Sequence, residues 1–188
     1  ASATINNLHK LGLRYLKIGF TLGDYNTSEL AKVYDFARKN ELELSLAIVH
    51  SSENYFSKNN QIEKTEEMAE SLDWLIREEL KASHPKNWAR AYFAHGAKEF
   101  LKSGNRILPD YSGRLNVFID SYGNVFPCDV STRKIGTLKN FREINFSGKD
   151  CFCEKSWMVC TARQAIKKHW LEAGLWIISA KLKNLLVY

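Results

Sequence analysis

The residues of this chain best suited to metal or redox chemistry are its four cysteines. They are Cys128, Cys151, Cys153 and Cys160, and no cysteine precedes them. Four thiols at one place can form two disulfides, complete one zinc site of four thiolates, or hold one iron–sulfur cluster. Disulfides are the weakest interpretation, because no stretch looks like a secretory signal and a chain of 188 residues does not need covalent staples to build a core.

The spacing of the cysteines bears on which metal they bind. Structural zinc sites usually pair cysteines with about two to four residues between them. A single residue separates Cys151 from Cys153, which suits two corners of a cluster better than two ligands of one small ion. The residues therefore favour an iron–sulfur cluster over zinc and leave both open.

Three segments near the cysteines resemble a known arrangement. They are Ile-Asp-Ser-Tyr-Gly-Asn-Val-Phe-Pro-Cys at 119–128, Ile-Gly-Thr-Leu at 135–138, and the Cys-x-Cys loop followed by Trp157 and Cys160. The pattern resembles the auxiliary-cluster region of radical S-adenosylmethionine (radical SAM) enzymes, of the SPASM or twitch type. In that family a hairpin with Gly-x4-Cys precedes a short Ile-Gly strand, a helix and a cysteine-rich loop that together hold auxiliary [4Fe-4S] clusters. Gly123 and Cys128 match the hairpin motif.

The chain also departs from that family. The hairpin usually opens with a further cysteine, but Asp110 and its neighbours occupy that region here. The resemblance therefore implies one auxiliary [4Fe-4S] cluster, bound by Cys128, Cys151, Cys153 and Cys160. The Cys-x3-Cys-x2-Cys motif that holds the first cluster of the family is absent from the sequence. We therefore expect the chain to be the carboxyl-terminal portion of a longer enzyme and to be inactive alone.

The resemblance implies a chemistry and its partners. In the full-length oxidoreductase, the first cluster would cleave S-adenosyl-L-methionine reductively, and the deoxyadenosyl radical would take a hydrogen atom from a substrate. The substrate class stays open among peptides, sugars, lipids and other small molecules, as does the role of the auxiliary cluster. A reductant protein such as flavodoxin or ferredoxin is the expected partner.

Two strand–turn–helix units precede the cysteines and predict an α/β fold. Alternation predicts a strand within 13–21, and an apolar run predicts a second at 42–49. Helices are expected from Leu30 and from Gln61, with a break at Pro85. Short connections predict that the strands are parallel. The resemblance identifies them as the last units of a partial (β/α)6 barrel, followed by a small α+β auxiliary domain with a β-hairpin.

The predicted organisation has three parts. Residues 1–104 form the carboxyl-terminal part of the barrel, 105–169 the auxiliary domain and 170–188 a helical tail. The boundary is placed in the polar loop 105–113. Residues 115–120 and 124–128 predict the two strands of the hairpin.

Polar side chains at the carboxyl ends of the two predicted strands are candidate ligand contacts, because parallel strands present ligands at that edge. These side chains are Thr21, Asn26, Ser51 and Ser52. By residue type each is a turn or cap residue, and N-capping of the next helix is the stronger explanation for Asn26. The resemblance adds Asn26 and Ser51 as contacts to S-adenosyl-L-methionine.

Charge and hydropathy narrow the remaining classes. The net charge of +6 comes without a dense Lys/Arg run, so we expect a solvated basic surface and no nucleic-acid partner. A hydrophobic fraction of 45% excludes wholesale disorder. No apolar run reaches the roughly 18–20 residues of a transmembrane helix. Metal-binding cysteines predict a reducing, cytoplasmic location.

The tail at 170–188 has two interpretations. Its apolar residues fit a helix docked on the core, while its lysines and tryptophans also suit an interfacial helix in contact with a membrane surface.

Two alternative functions stand beside the radical enzyme. One is a zinc-binding structural or interaction module with a four-cysteine site, and the other is a membrane-surface or anion-binding domain that uses the basic tail.

Overall fold

The structure is a computed structural model that describes residues 2–13, 15–52, 60–146 and 156–185. The described residues form a mixed α/β structure with one parallel and one antiparallel sheet. The elements are α1 (Ser2–Lys10), β1 (Lys17–Leu22), α2 (Leu30–Lys39), β2 (Glu43–Ile48), α3 (Thr65–Lys81), α4 (Pro85–Ser103), β3 (Phe118–Ile119), β4 (Asn124–Phe126), β5 (Gly136–Thr137), α5 (Val159–Lys168) and α6 (Trp170–Leu185).

Strands β1 and β2 are parallel, and α2 connects them. Lys17 lies opposite Glu43 at one end of the pairing, which continues without a break to the other. Helix α2 buries Leu30, Tyr34 and Ala37, which recur at helical spacing and so form one apolar face. The prediction of two parallel strands joined by a helix is confirmed, although both strands are shorter than predicted.

Helices α3 and α4 form a hairpin beside the parallel sheet and pack against each other more extensively than other pairs of described elements. Pro85 is the first residue of α4, where its missing N–H is not needed and its fixed φ suits the helix. The His84 side chain caps α4 by accepting a hydrogen bond of 3.1 Å from the Lys86 N–H. The predicted break at Pro85 is therefore confirmed.

One hydrophobic core runs through the strands and helices. It contains Phe20, Leu22, Leu30, Tyr34, Leu44, Leu46, Met68, Leu72, Leu75, Ile76, Leu80, Ala91, Tyr92, Phe93, Ala94, Ala97, Leu108, Trp157, Ala162, Ala165 and Ala173. The apolar core is thus continuous across the boundary predicted after residue 104. Helix α6 docks on this core, where the Trp176 ring lies edge-on to Tyr92 at 5.4 Å and stacks on His95 at 4.5 Å.

The antiparallel sheet is small and has the strand order β3-β4-β5. The predicted hairpin is present, but its strands have only two and three residues. The resemblance also led us to expect the short strand β5. The helix expected after it is a 3-10 segment, Leu138–Glu143.

Candidate metal site around the cysteines

Cys128 follows β4 and is buried with 3% of its surface exposed. The hairpin that carries it turns at Gly123, whose φ of 77° is a left-handed conformation that favours glycine. One carboxylate oxygen of Asp120 accepts hydrogen bonds from the backbone N–H groups of Tyr122 at 2.9 Å and Asn124 at 2.8 Å. The hairpin is therefore fixed locally, and it presents Cys128 at its inner end.

The residue after Cys128 connects the hairpin to the carboxyl end of β2. The Ser52 hydroxyl donates a hydrogen bond of 2.5 Å to the backbone carbonyl of Asp129. The Asp129 carboxylate lies 3.5 Å from Nε2 of His50. The strand end that we expected to present ligands thus contacts the loop that carries the first cysteine.

Cys160 is the second residue of α5, and the residue as a whole is exposed to solvent. Partial desolvation of the Cys160 thiol raises its pKa, and the negative charges of Asp129 and Asp110 raise it further. Hydrogen bonds from the backbone N–H groups of Thr161 and Cys160 act in the opposite direction and lower the pKa. Asp129 is the direct neighbour of Cys128. The charge of Asp129 therefore acts on the thiol of a cysteine that lies far from Cys128 in sequence.

A buried arginine holds the segment that precedes α5. The Arg106 guanidinium donates hydrogen bonds to the Ser156 carbonyl and, at 3.1 Å, to the Thr161 hydroxyl. It lies over the Trp157 ring at 4.9 Å and 3.8 Å from the Asp110 carboxylate. A planar guanidinium can make all these contacts at once because its donors point in fixed directions. We call this set of contacts the Arg106 clamp.

Trp157 anchors the same segment to α4. Its indole N–H donates a hydrogen bond of 2.9 Å to the Phe93 carbonyl, and its ring stacks near the Phe93 ring. Gly96 makes room for the indole, since a Cβ at this position would lie 2.1 Å from Cζ2 of Trp157. The start of α5, and with it Cys160, is thereby placed against the core.

Two observations bear on whether the site fits a metal or cluster. A thiol at the start of a helix usually has a lowered pKa, yet the surroundings of Cys160 raise its pKa and so disfavour the thiolate that a metal or cluster requires. A bound cation would reverse that effect. In addition, the buried Ser156 hydroxyl has no hydrogen-bond partner among the described residues and could donate to a cluster sulfur.

The remaining two predicted ligands, Cys151 and Cys153, lie outside the described residues. Within the described ranges, no three His, Cys, Asp or Glu side chains converge as a metal site. Cys128 is buried and Cys160 is exposed, and their thiols together with the hydroxyl of Ser156 are groups of the kind that hold and tune an iron–sulfur cluster.

Asn26 does not cap a helix, so the capping interpretation is wrong. A 3-10 turn, Thr27–Glu29, precedes α2, and the Asn26 side chain makes no cap hydrogen bond to it. Its Oδ1 accepts a hydrogen bond of 3.0 Å from the Gly23 N–H, and its Nδ2 donates one of 2.9 Å to the Thr21 carbonyl. Asn26 instead closes the loop at the end of β1, because its amide oxygen and its amide NH₂ each pair with a backbone group there.

The other predicted contact, Ser51, lies at the end of β2. Its hydroxyl accepts a hydrogen bond of 2.9 Å from the Asn60 N–H and therefore also shapes a loop. Asn26 and Ser51 thus follow neighbouring strand ends, as the parallel sheet requires.

Sequence reasoning missed Arg106, His50 and Asp129. Arg106 belongs to the polar loop 105–113, and no local pattern there indicates a partner fifty residues away. Asp129 offered a weak signal, since a carboxylate directly follows a predicted metal ligand.

No protein-family model, curated protein or solved structure matches the chain.

Proposed function

We propose that this chain is the carboxyl-terminal part of a radical SAM enzyme and binds one auxiliary [4Fe-4S] cluster through Cys128, Cys151, Cys153 and Cys160. The observation that carries the proposal is that the residue after the buried Cys128 contacts the carboxyl end of β2 through Ser52. The position of Cys128 directly after the hairpin agrees with the motif on which the resemblance rests. In this proposal β1 and β2 are the last strands of a partial (β/α)6 barrel, and the segment after residue 104 is the SPASM or twitch-type domain.

The contact between the two sheets supports the proposal. Ligands of parallel α/β folds bind beyond the carboxyl ends of the strands. In this chain the loop containing Asp129 packs at that end of β2, through Ser52 and His50. A cluster bound beside Cys128 would therefore lie close to the region where the barrel binds its ligand.

The chain's own residues would hold and tune the group. When bound, the auxiliary cluster supplies a site that can accept or relay one electron. The Arg106 clamp fixes the backbone that leads to Cys160, and Ser156 offers a hydroxyl to a sulfur. The carboxylates of Asp110 and Asp129 act on the Cys160 thiol, and both charge and hydrogen bonds set the potential of such groups.

Asn26 and Ser51 remain the proposed contacts to S-adenosyl-L-methionine. The Asn26 amide oxygen accepts one described hydrogen bond and its NH₂ group donates one. Such an oxygen can accept a second hydrogen bond, and such an amino group can donate a second. Further parts of the proposal are a cytoplasmic location and a reductant such as flavodoxin or ferredoxin.

The test is metal analysis of the anaerobically purified chain. We expect roughly four irons and four sulfides per chain, with a broad visible absorption. Substitution of any one ligand by serine, for example Cys153→Ser or Cys128→Ser, should lower the iron content and the absorption. Ser121→Ala, an exposed change in the turn of the same hairpin, is the matched control and should leave both unchanged.

A different metal content would overturn the proposal. About one zinc per chain with no sulfide would make the cysteines a structural zinc site of four thiolates. Circular dichroism of each variant distinguishes loss of metal from loss of the fold.

A further inference from the structure

Helix α6 has apolar residues on two opposite faces. One face packs against the core through Ala173, Trp176, Ile177 and Ala180. The other face is exposed, and we call its four residues the outer stripe: Leu171, Leu175, Ile178 and Leu182, with exposed fractions of 62%, 70%, 60% and 57%. A helix docked on a core needs only one apolar face, so the fold does not explain the outer stripe.

The spacing places the outer stripe along a single line. Its residues are separated by four, three and four positions, which confines them to an arc of about 60° at roughly 100° per residue. Scattered exposed apolar residues are normal on protein surfaces, whereas a contiguous apolar row indicates an interaction surface. Trp170, 67% exposed, adds an indole at the start of the helix.

Helix α6, which carries the outer stripe, and the preceding helix α5 have mostly positive charges. Helices α5 and α6 contain Arg163, Lys167, Lys168, Lys181 and Lys183, with Glu172 as their one acidic residue. Glu172 lies 3.5 Å from a ring nitrogen of His169. The excess of positive charge on these two helices therefore favours an anionic partner.

This charge pattern selects between a bilayer and a second copy of the chain. A second copy would bring its own excess of cations to the stripe, whereas anionic lipid head groups would neutralise it. Tryptophan, lysine and leucine in this arrangement are typical of helices that lie in the membrane interface. No described helix has the length and apolar character needed to cross a membrane, so the helix would lie in the plane of the surface.

We infer that α6 docks this protein on the surface of an anionic bilayer, with the outer stripe at the boundary between head groups and acyl chains. The exposed Lys167 and Lys183 contact the head groups, whereas Lys168 and Lys181 lie over the rings of Tyr111 and Trp88. The inner face of α6 stays on the core, so docking requires no unfolding. This inference rests on α5 and α6 and does not depend on the cysteines binding a cluster.

The test is sedimentation of the complete chain with vesicles of phosphatidylcholine, with or without about 30% phosphatidylglycerol. We expect binding to the anionic vesicles that weakens when salt rises from about 0.1 M to about 0.5 M. The double substitution Leu175→Ser, Ile178→Ser should weaken binding by about tenfold or more, because two apolar side chains no longer insert. The control Tyr122→Ser removes an exposed aromatic ring from the distant hairpin and should leave binding unchanged.

A second pair of variants tests the charges. Lys167→Glu with Lys183→Glu should weaken binding to the anionic vesicles, whereas Lys139→Glu, exposed beside β5, should change it little. Equal binding of wild type and the stripe variant would overturn the inference, as would the absence of binding to either vesicle. A dimer in light scattering that the stripe variant dissociates would assign the stripe to a second copy instead. Circular dichroism establishes that each variant is folded.

Discussion

The parallel β1–α2–β2 unit and the described part of residues 105–169, which we call the cysteine region, are stabilised in different ways. The parallel strands have six residues each, and their buried leucines belong to the main core. The cysteine region has strands of two or three residues, a 3-10 segment and a set of polar anchors. The first region is therefore organised mainly by burial of apolar side chains. The second also buries apolar residues such as Val125 and Trp157 but depends in addition on hydrogen bonds and charge.

This difference indicates where a bound group would matter. A sheet of such short strands buries little apolar surface and is not stable by itself. Its position depends on the Arg106 clamp, on Trp157 and on the contact of Asp129 with the end of β2. A ligand that binds the folded site would add to its stability, because it favours the state that binds it. The parallel unit does not need a bound ligand in this way, because its strands pack directly on the main core.

The largest effect is expected from Arg106→Ala, which breaks the anchor of the cysteine region. It leaves Asp110 buried without its guanidinium and removes the donors to Ser156 and Thr161. The free energy of unfolding should fall by about 3–5 kcal/mol, as for other buried ion pairs that lose one partner. Urea unfolding followed by tryptophan fluorescence measures it.

The matched control for that prediction is Arg38→Ala, on the exposed side of α2. Its guanidinium lies 6.0 Å from the Tyr34 ring, and its loss should cost about 1 kcal/mol or less. Equal losses in the two variants would mean that burial of the Arg106 contacts contributes nothing, and the contrast between the two regions would fail.

Gly96→Ala should give the next largest effect, because it separates α4 from Trp157. A Cβ would clash with the indole, and overpacking of this kind costs about 1–3 kcal/mol. The control is Gly174→Ala in α6, where a Cβ meets nothing within 4 Å. That change should stabilise the protein by up to about 1 kcal/mol, since alanine favours a helix. Thermal unfolding checks the opposite signs, and a stabilising Gly96→Ala would disprove the close approach.

Ser52→Ala tests the connection between the two regions. It removes the hydroxyl that donates to the Asp129 carbonyl and leaves that carbonyl with one hydrogen bond fewer. The expected loss is about 1–2 kcal/mol in the free energy of unfolding. Ser103→Ala removes two exposed hydrogen bonds, one donated to the Glu99 carbonyl and one accepted from the Asn105 N–H, and should stay within about 0.5 kcal/mol of wild type. If both substitutions are neutral, the end of β2 does not hold the cysteine loop.

The smallest effect concerns acid stability of the parallel unit. The hydrogen bond from Lys86 lowers the pKa of Glu43, and the nearby Arg90 and Lys17 lower it further. Partial desolvation of the Glu43 carboxylate acts in the opposite direction but is the smaller effect. A lowered pKa in the folded state stabilises the protein above the unfolded value of about 4.3, and this contribution disappears as pH falls through the folded pKa. Glu43→Gln should remove about 1 kcal/mol or less at neutral pH and none at low pH.

Urea midpoints between about pH 2 and pH 7 measure this dependence. Glu41→Gln, an exposed neighbour before β2, serves as the control. An identical pH dependence in wild type and Glu43→Gln would show that the three cations do not act on Glu43.

The sequence determined much of the parallel unit. Alternation, apolar runs and Pro85 predicted the type and order of β1, α2, β2 and the break before α4, because these signals are local. Strand ends were less accurate, since pairing partners decide where a strand stops. The sequence also selected the cysteines as candidate ligands from their residue type and spacing.

The side-chain roles depended on tertiary structure. Asn26 had the residue type of a cap, but the 3-10 turn before α2 changed its partners to the backbone groups of Thr21 and Gly23. Arg106 had no local signal because its partners Ser156 and Thr161 are distant in sequence. Likewise, apolar periodicity in the tail predicted a helix but could not assign which face of α6 would be buried.

Residue type and spacing alone therefore determined which elements form and which thiols are available. The tertiary structure decided that the residue after Cys128 contacts the end of β2, that a buried arginine anchors the segment before Cys160, and that Leu171, Leu175, Ile178 and Leu182 stay exposed. The physical reason is that local patterns report the conformation of a segment, whereas burial, charge proximity and exposure are set by segments that meet only when the chain folds.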